Sequence, residues 1–372
     1  MPSTAAETAP CSRALIAVID GNDERRTQYG QALRSFYPVY GFHDLKTAMS
    51  ELGRVRPSLL VVDEKVMAPP KANLLTMLQG AFGKTPVIAC TSSGQQAVRA
   101  NLVWSEIADV RLEKPFRRSQ LVGAISGLLN RNVEESWNAL PVPHASTLRR
   151  TLATFNGIAD LIDSGEPLAY QQIVECCTPV VDAVTASQYK PLLAGVRDHD
   201  NYAYVHSLRV ATLLALFGDT IGLKDEALLI LATGGLLHDI GKMSLPQEIT
   251  GKPSALTALE MAQMRQHVHA TVNYLRKHSD VPKGVLTIAA QHHERLDGSG
   301  YPGKLAGSQL NDLARMSAIV DVFSAMTERR PYKNPVTPEQ AFEVMTTEMA
   351  DKLDQRLLLM FKDMLMESVV WV

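Results

Sequence analysis

Histidine residues are concentrated in one part of this chain. The sequence has 372 residues and 10 histidines, and seven of the histidines fall between positions 206 and 293. Imidazole is the commonest metal-ligating group in proteins and a frequent acid or base in catalysis. The concentration therefore predicts a metal site formed by the C-terminal half of the chain.

Two aspartates of the same half lie in segments that a folded protein would bury. Asp239 comes directly after the apolar stretch EALLILATGGLL and His238, and Asp321 lies within ARMSAIVDVFSAM. A buried carboxylate requires a counter-charge or a metal ion. For either aspartate alone, an ion pair with histidine or arginine explains the pattern as well as a metal does.

Taken together, these side chains exceed what one ion pair or one tetrahedral metal site needs. Imidazole nitrogens with carboxylate oxygens suit iron, manganese and zinc. Binuclear hydrolases hold two metals about 3.5–4 Å apart with donors of this kind. The candidate ligands, all attached to predicted core-facing helices, are His206, His238, Asp239, His267, His292, His293 and Asp321. They predict two metal ions that share a carboxylate.

A glycine-rich segment, HHERLDGSGYPGKL, begins at the histidine pair. Its glycines and Pro302 indicate a loop whose backbone can approach a ligand closely, and Tyr301 adds an aromatic ring and a hydroxyl. The loop is placed to shape a substrate pocket. On composition alone, an ordinary glycine-rich connection explains it equally well.

Three segments in this order, HDIGK (238–242), HHERLDGSGYPG (292–303) and IVDVFSAMTERRPYK (319–333), resemble the HD-GYP domain. That domain is a branch of the HD metal-dependent phosphohydrolases associated with hydrolysis of the bacterial second messenger cyclic di-GMP. The resemblance covers about residues 185–365.

The resemblance implies a role for each of these residues. It makes all seven candidates metal ligands, with Asp239 bridging two divalent transition metals, iron or manganese before zinc, nickel or cobalt. Asp239 and Lys242 become the catalytic residues, with Lys242 beside the scissile phosphate. Tyr301, Arg330 and Lys333 match positions that contact the dinucleotide, and a guanine could stack on Tyr301.

One position departs from the family pattern. Some members bind a third metal through a glutamate four residues before the first histidine ligand, and here that position is Tyr202. Asp200 is near but out of register. We therefore expect two metals rather than three.

The implied reaction is hydrolysis of cyclic di-GMP to linear pGpG, with GMP as a further product. Two metals would activate a water molecule and clamp a phosphate oxygen, and Lys242 would stabilise the developing charge. One alternative is a related HD phosphohydrolase that acts on another cyclic nucleotide or dinucleotide. The other is a non-catalytic cyclic di-GMP sensor or interaction module.

The N-terminal part has a different pattern. Short apolar runs at 14–20, 58–63 and 86–91, and a fourth piece at 109–116, alternate with polar or helix-like segments. This alternation predicts a doubly wound α/β domain with a parallel sheet. Its closing helix is expected within SQLVGAISGLLNR.

Residues near the predicted strand ends resemble a response-regulator receiver domain. The resemblance implies that Asp63 accepts a phosphoryl group, Asp20 helps to bind Mg²⁺, Thr91 follows the phosphoryl group and Lys114 pairs with it. Gly21 stands where receivers usually carry a second acid. Two readings stay open, a phosphorylated receiver and a pseudo-receiver that only dimerises or docks.

The predicted organisation has three parts. Residues 1–130 form the receiver-like domain, 131–184 a helical linker with the leading helices, and 185–372 an all-helical HD-GYP domain. Pro141 and Pro143 predict a helix break in the linker, and Gly165 is expected to end the helix that follows.

Composition limits the classes of partner and the cellular location that we expect. The formal charge is -2, which argues against a nucleic-acid polymer as ligand. The four cysteines show no disulfide or zinc-finger spacing, and we find no signal peptide or membrane span, so we expect a cytoplasmic location. The expected partners are cyclic di-GMP, an upstream histidine kinase for the receiver, and a second copy in a homodimer.

Overall fold

The structure, a computed structural model, describes residues 14–33, 36–52, 56–66, 71–92, 104–252, 254–277, 280–329 and 335–368. Within these residues an N-terminal α/β part is followed by a part built from helices. The predicted fold class is confirmed on both counts.

The N-terminal part is organised around a five-stranded parallel sheet with the order β2-β1-β3-β4-β5. This is the strand order of flavodoxin-like doubly wound folds, in which ligands gather at the carboxyl ends of the strands. The strands are β1 (Ile16–Ile19), β2 (Val39–Phe42), β3 (Leu59–Asp63), β4 (Val87–Ser92) and β5 (Val110–Lys114).

The sequence analysis predicted four of these strands and missed β2. Its sequence is VYGF, in which Tyr40 and Gly41 are exposed and only Phe42 is buried. Such a short edge strand carries no continuous apolar run, so periodicity alone could not reveal it. By contrast, every residue of the central strand β3 is buried.

Four named helices flank the sheet. They are α1 (Asp23–Leu33), α2 (Leu45–Glu51), α3 (Lys71–Phe82) and α4 (Arg118–Leu129). Asp44 caps α2 by accepting a hydrogen bond from the Thr47 N–H at 2.7 Å. Helix α4 is the predicted closing helix.

The helical part runs from residue 131 onward. Its α-helices are α5 (Arg131–Ser136), α6 (Val142–Ser164), α7 (Tyr170–Thr185), α8 (Lys190–Val196), α9 (Tyr202–Thr220), α10 (Glu226–Leu237), α11 (Gln247–Thr250), α12 (Ala258–Arg276), α13 (Lys283–Gln291), α14 (Asp312–Thr327), α15 (Pro338–Thr347) and α16 (Gln355–Ser368). The predicted helix break lies at Pro141, directly before α6. Gly165 ends α6 in a left-handed conformation with φ 68°, as predicted.

The two parts share an apolar core. Alternate strand residues face opposite sides of the sheet. Ile16 and Val18 belong to a cluster that continues through Ile125 of α4 and Phe155 of α6 into the other helices. The opposite face, with Ile19 and its neighbours, forms a separate cluster. The sheet is therefore packed onto the helical part through α4.

Among the helices that the structure describes, none is both long and apolar enough to span a membrane.

Candidate metal centre

Close helix packing places the first ligands together. Helix α9 carries His206, and α10 ends immediately before His238. At Gly235 of α10 a Cβ atom would lie 2.6 Å from the Ala211 Cα of α9. Only glycine permits this approach, which explains the second glycine of the segment GGLLHD.

The segment after Asp239 is held against α12 in the same way. It forms a 3-10 helix, Ile240–Ser244. A Cβ atom on Gly241 would lie 2.1 Å from the His267 carbonyl oxygen, and the Gly241 N–H donates to Thr271 Oγ1 at 2.9 Å. The glycine of HDIGK therefore brings Asp239 beside His267.

All seven predicted ligands meet in one place, in two groups. Within each group the candidate donor atoms lie within 4.8 Å of one another. One group is Asp239, His267, His292 and His293, and the other is His206, His238 and Asp321. His293 is half-buried and the other six are buried. His269, two residues from His267, is exposed and belongs to neither group.

Asp239 lies between the groups and directs one oxygen to each. Its Oδ1 is 3.1 Å from His267 Nε2 and 3.6 Å from His292 Nε2. Its Oδ2 is 3.3 Å from His238 Nε2 and 3.7 Å from His206 Nε2. A carboxylate in this position can bridge two cations.

Three imidazoles are oriented by backbone carbonyls. The Nδ1 atoms of His238, His267 and His292 lie 2.7 Å from the Gly235 oxygen, 2.6 Å from the Met264 oxygen and 3.1 Å from the Ala289 oxygen. A neutral imidazole that donates through Nδ1 presents an unprotonated Nε2, which is the form that binds metals.

The inward-facing atoms lack partners. Within the described residues, the Nε2 atoms of His238, His267 and His292 and the Oδ1 of Asp239 are buried and accept no hydrogen bond. Buried polar atoms are nearly always paired. Four converging acceptors without donors fit a cation, so the residues present fit a pair of divalent metals.

The protonation states of His292, His293, Asp239 and Asp321 agree with this interpretation, whereas, against the effect of burial, Glu328 and Asp321 raise the pKa of His206 to about 9. Burial lowers the pKa of His292 to about 4 and holds the pKa of His293 well below its usual range, so both imidazoles are neutral. Burial opposes ionisation of Asp239, but Lys242 and His238 outweigh it and hold the pKa of that carboxyl well below its usual value. Asp321 behaves likewise through its hydrogen bond with His206.

Two predicted substrate-contacting residues border the cluster. The Lys242 ammonium contacts Asp239 Oδ2. The Tyr301 ring lies 4.6 Å from the His293 ring, and the Arg265 guanidinium lies 4.9 Å from the Tyr301 ring centre. A guanine stacked on that face of Tyr301 would displace Arg265, which the sequence analysis did not identify.

The other two predicted contacts, Arg330 and Lys333, lie outside the described residues. Tyr202 begins α9, four residues before His206. Among the described residues, Asp200 belongs to neither ligand group.

A buried glutamate fixes the glycine-rich loop. Glu294 is 1% exposed, and its carboxylate accepts hydrogen bonds from the N–H groups of Gly303 at 2.6 Å and Leu305 at 3.0 Å. At Gly300 a Cβ atom would lie 2.5 Å from the Glu294 Cα. The loop is thus a fixed wall beside the ligands. The sequence analysis quoted Glu294 within HHE but assigned it no role.

A second glutamate, Glu328, was also missed. It follows α14, and its carboxylate lies 3.0 Å from His206 Nδ1. Nothing in TERRPYK distinguishes it from a surface glutamate, because its burial depends on how α14 packs against α9.

The predicted receiver residues also meet. Lys114 Nζ lies 2.6 Å from Asp63 Oδ2, and Thr91 follows Cys90, which pairs with Asp63 across the sheet. Arg25 donates to both oxygens of Asp20, through Nε and Nη2, at 2.8 Å each. This hydrogen bonding raises the pKa of Arg25.

As arranged, this pocket does not fit Mg²⁺. A hard cation needs several free oxygen ligands. Both Asp20 oxygens are engaged by Arg25, whose Nη2 is also 3.7 Å from Asp63 Oδ1, and Lys114 holds the other Asp63 oxygen. Asp20 and Asp63 are thus each paired with a cation. The sequence analysis missed Arg25, because nothing in NDERR indicates that its first arginine turns back toward Asp20.

Comparison with known proteins shows where this chain has relatives. Residues 189–357 match the HD domain family. The chain is 38% identical over 171 residues to a cyclic di-GMP phosphodiesterase of Pseudomonas aeruginosa, a match that covers 45% of this chain and 41% of that protein.

A second relative aligns along almost the whole chain. The cyclic di-GMP phosphodiesterase response regulator RpfG of Xanthomonas campestris is 27% identical over 350 residues, which is 92% of this chain and 85% of that protein. The 3'3'-cGAMP-specific phosphodiesterase 2 of Vibrio cholerae is 36% identical over 153 residues, or 41% of this chain and 29% of that protein. The match thus spans less than half of two of these three relatives.

Proposed function

We propose that this chain, whose residues 189–357 form an HD domain, is a metal-dependent phosphodiesterase that hydrolyses cyclic di-GMP. The observation that carries the proposal is the convergence of unpaired imidazole nitrogens around Asp239, whose two oxygens face two ligand groups. The printed functions of the Pseudomonas and Xanthomonas relatives support cyclic di-GMP as the substrate.

The two ligand groups define the proposed metal positions. His206, His238 and Asp321 would hold one ion, His267, His292 and His293 the other, and Asp239 would contact both. When bound, two divalent cations supply an activated water molecule and draw charge from the phosphate. The donor set contains nitrogen and oxygen without thiolate, which suits iron or manganese as well as zinc, nickel or cobalt.

The remaining side chains would act on the substrate. The Lys242 side chain is 30% exposed, so its ammonium can reach a phosphoryl oxygen from its place beside Asp239. Burial raises the pKa of Tyr301, so its hydroxyl stays protonated and can donate a hydrogen bond. We assign Arg330 and Lys333 to the rest of the dinucleotide, as the family resemblance implies.

We also propose that the N-terminal domain, residues 1–130, regulates the HD-GYP domain, residues 185–372, across the helices between them. Arg118 supports this. It donates to the Ala32 oxygen of α1 at 2.7 Å, to Asp163 of α6 at 2.8 Å, and to the Met243 oxygen beside Lys242 at 3.2 Å. The ion pairs of Arg25 and Lys114 favour a docking domain that works without phosphorylation of Asp63.

The test is turnover of cyclic di-GMP and 3'3'-cGAMP, side by side, by anaerobically purified protein, with separation of the products. The Vibrio relative makes 3'3'-cGAMP the second candidate substrate. We expect cyclic di-GMP to be cleaved to pGpG, and pGpG more slowly to GMP. If metal-loaded protein binds cyclic di-GMP but cleaves neither dinucleotide, the protein is a sensor and the proposed enzymatic function is wrong.

A further inference from the structure

A buried carboxylate outside the ligand set lies directly against the first ligand. Glu328 is 8% exposed and follows the last residue of α14, where its N–H donates to the Ser324 oxygen at 2.9 Å. Its Oε2 and Oε1 lie 3.0 and 3.2 Å from His206 Nδ1. A carboxylate this deeply buried requires a specific partner.

His206 differs in this respect from three other candidate ligands. His238, His267 and His292 each direct Nδ1 to a backbone carbonyl. In the described structure, His206 directs Nδ1 to a side-chain carboxylate instead, while its Nε2 faces Asp321 Oδ1 at 3.1 Å. Glu328 therefore lies behind the ring, on the side away from the ligand cluster.

Glu328 is itself tied to the helix that carries His206. Arg209, one turn further along α9, places Nε 3.9 Å from Glu328 Oε1 and donates through Nη2 to Thr327 Oγ1 at 2.8 Å. The end of α14 is thus attached to α9 at two successive positions, His206 and Arg209. This arrangement fixes the orientation of the His206 ring.

We propose that Glu328 is a positioning residue that sets the affinity of one of the two metals, the one held by His206, His238 and Asp321. The inference rests on the proposed metal pair. A carboxylate hydrogen-bonded to the distal nitrogen of a ligating histidine fixes its tautomer and increases its basicity. Loss of such a partner typically lowers metal affinity by about 10- to 100-fold.

The experiment is a chelator titration of the full chain, with metal content measured by elemental analysis. Glu328→Ala should release one of its two metals at about 10- to 100-fold lower chelator concentration than the wild type, while the second metal is released as before. Glu328→Gln keeps an acceptor oxygen for Nδ1, so the chelator concentration that releases its weaker metal should lie between those of the wild type and Glu328→Ala. Glu339→Gln, an exposed glutamate of α15, is the matched control.

The outcomes separate this inference from the proposed function. If both metals of Glu328→Ala are weakened equally, or neither is, the positioning role is wrong while the metal pair stands. If wild-type protein never holds two metals, the metal pair fails and the inference fails with it. Circular dichroism of Glu328→Gln checks the fold, since this isosteric variant keeps the volume of the side chain.

Discussion

The molecule contains two buried, acid-rich sites that solve the problem of buried charge differently. In the N-terminal pocket, Asp20 and Asp63 are already paired with Arg25 and Lys114. In the helical part, imidazoles surround Asp239, and three of their nitrogens and the Asp239 Oδ1 have no hydrogen-bond partner within the described structure. In the first site each of these acids is paired with a cation, whereas the second leaves Asp239 Oδ1 and the imidazole nitrogens beside it unpaired within the described residues.

The difference follows from the side chains involved. Guanidinium and ammonium groups carry permanent charge at neutral pH and neutralise a carboxylate directly. An unprotonated imidazole nitrogen brings a lone pair and no charge, so the imidazoles that face Asp239 Oδ1 leave that oxygen without a donor, although Lys242 contacts Oδ2. The acids alone would not have separated these two sites, whereas their buried partners do.

The substitution with the largest expected effect removes the shared carboxylate. Asp239→Ala should abolish both cyclic di-GMP hydrolysis and the retention of both metals, because each ligand group loses an oxygen. Metal content and turnover are measured on the same preparation, with the exposed Asp363→Ala as control. Wild-type metal content in Asp239→Ala would show that this carboxylate is not the bridge.

The opposite manipulation should open the N-terminal pocket. Arg25→Ala removes the Arg25 hydrogen bonds to both oxygens of Asp20 and leaves only the Asn22 N–H on Oδ1, so Mg²⁺ can bind and acetyl phosphate should label the protein, whereas wild-type protein should stay essentially unlabelled. Labelling is followed by intact-protein mass spectrometry. Asp63→Asn in the Arg25→Ala background should abolish the signal. Full labelling of wild-type protein at Asp63 would remove the contrast between the two sites.

A smaller effect on turnover is expected from Arg118, which contacts both the N-terminal domain and the segment beside Lys242. Arg118→Ala removes the hydrogen bond to the Met243 oxygen, next to Lys242, and should lower kcat for cyclic di-GMP several-fold without changing metal content. The exposed Arg276→Ala on α12 is the control. Unchanged kcat would mean that the contact through Arg118 carries no regulation.

The smallest expected effect is on stability against pH in chelator-treated protein. The pKa of His292 is lowered by burial from 6.5 to about 4. Between these values the unfolded chain binds a proton that the folded chain does not, so stability falls as the pH falls through this window. Thermal unfolding should show a decreasing Tm from about pH 6.5 to about pH 4. His292→Asn should reduce the dependence of Tm on pH. An equal dependence in wild type and His292→Asn would show that other groups cause it.

The parts of the fold that could be predicted were those with strong local signals. The buried runs of β1, β3 and β4 and the helix end at Gly165 depend on local sequence, whereas β2 is short and half exposed. The sequence also indicated the ligand types, because histidines and aspartates attached to apolar helices are unusual.

The supporting residues could not be predicted, because their roles depend on tertiary packing. Glu328, Arg265 and Arg25 lie in polar segments that resemble ordinary surface. Each acquires its neighbour only when two elements meet, as α14 and α9 do at Glu328 and His206. Local pattern identifies groups that can do chemistry, while the groups that orient or neutralise them appear only in three dimensions.

The most direct test of the central claim, that the helical part holds a catalytic metal pair, is metal stoichiometry measured together with turnover. Wild-type protein is purified anaerobically, stripped with a chelator and reloaded with manganese or iron in steps. We predict that cyclic di-GMP hydrolysis disappears on stripping and returns as the metal content approaches two ions per chain. Undiminished hydrolysis by the stripped protein, or full activity with no bound metal, would contradict the account.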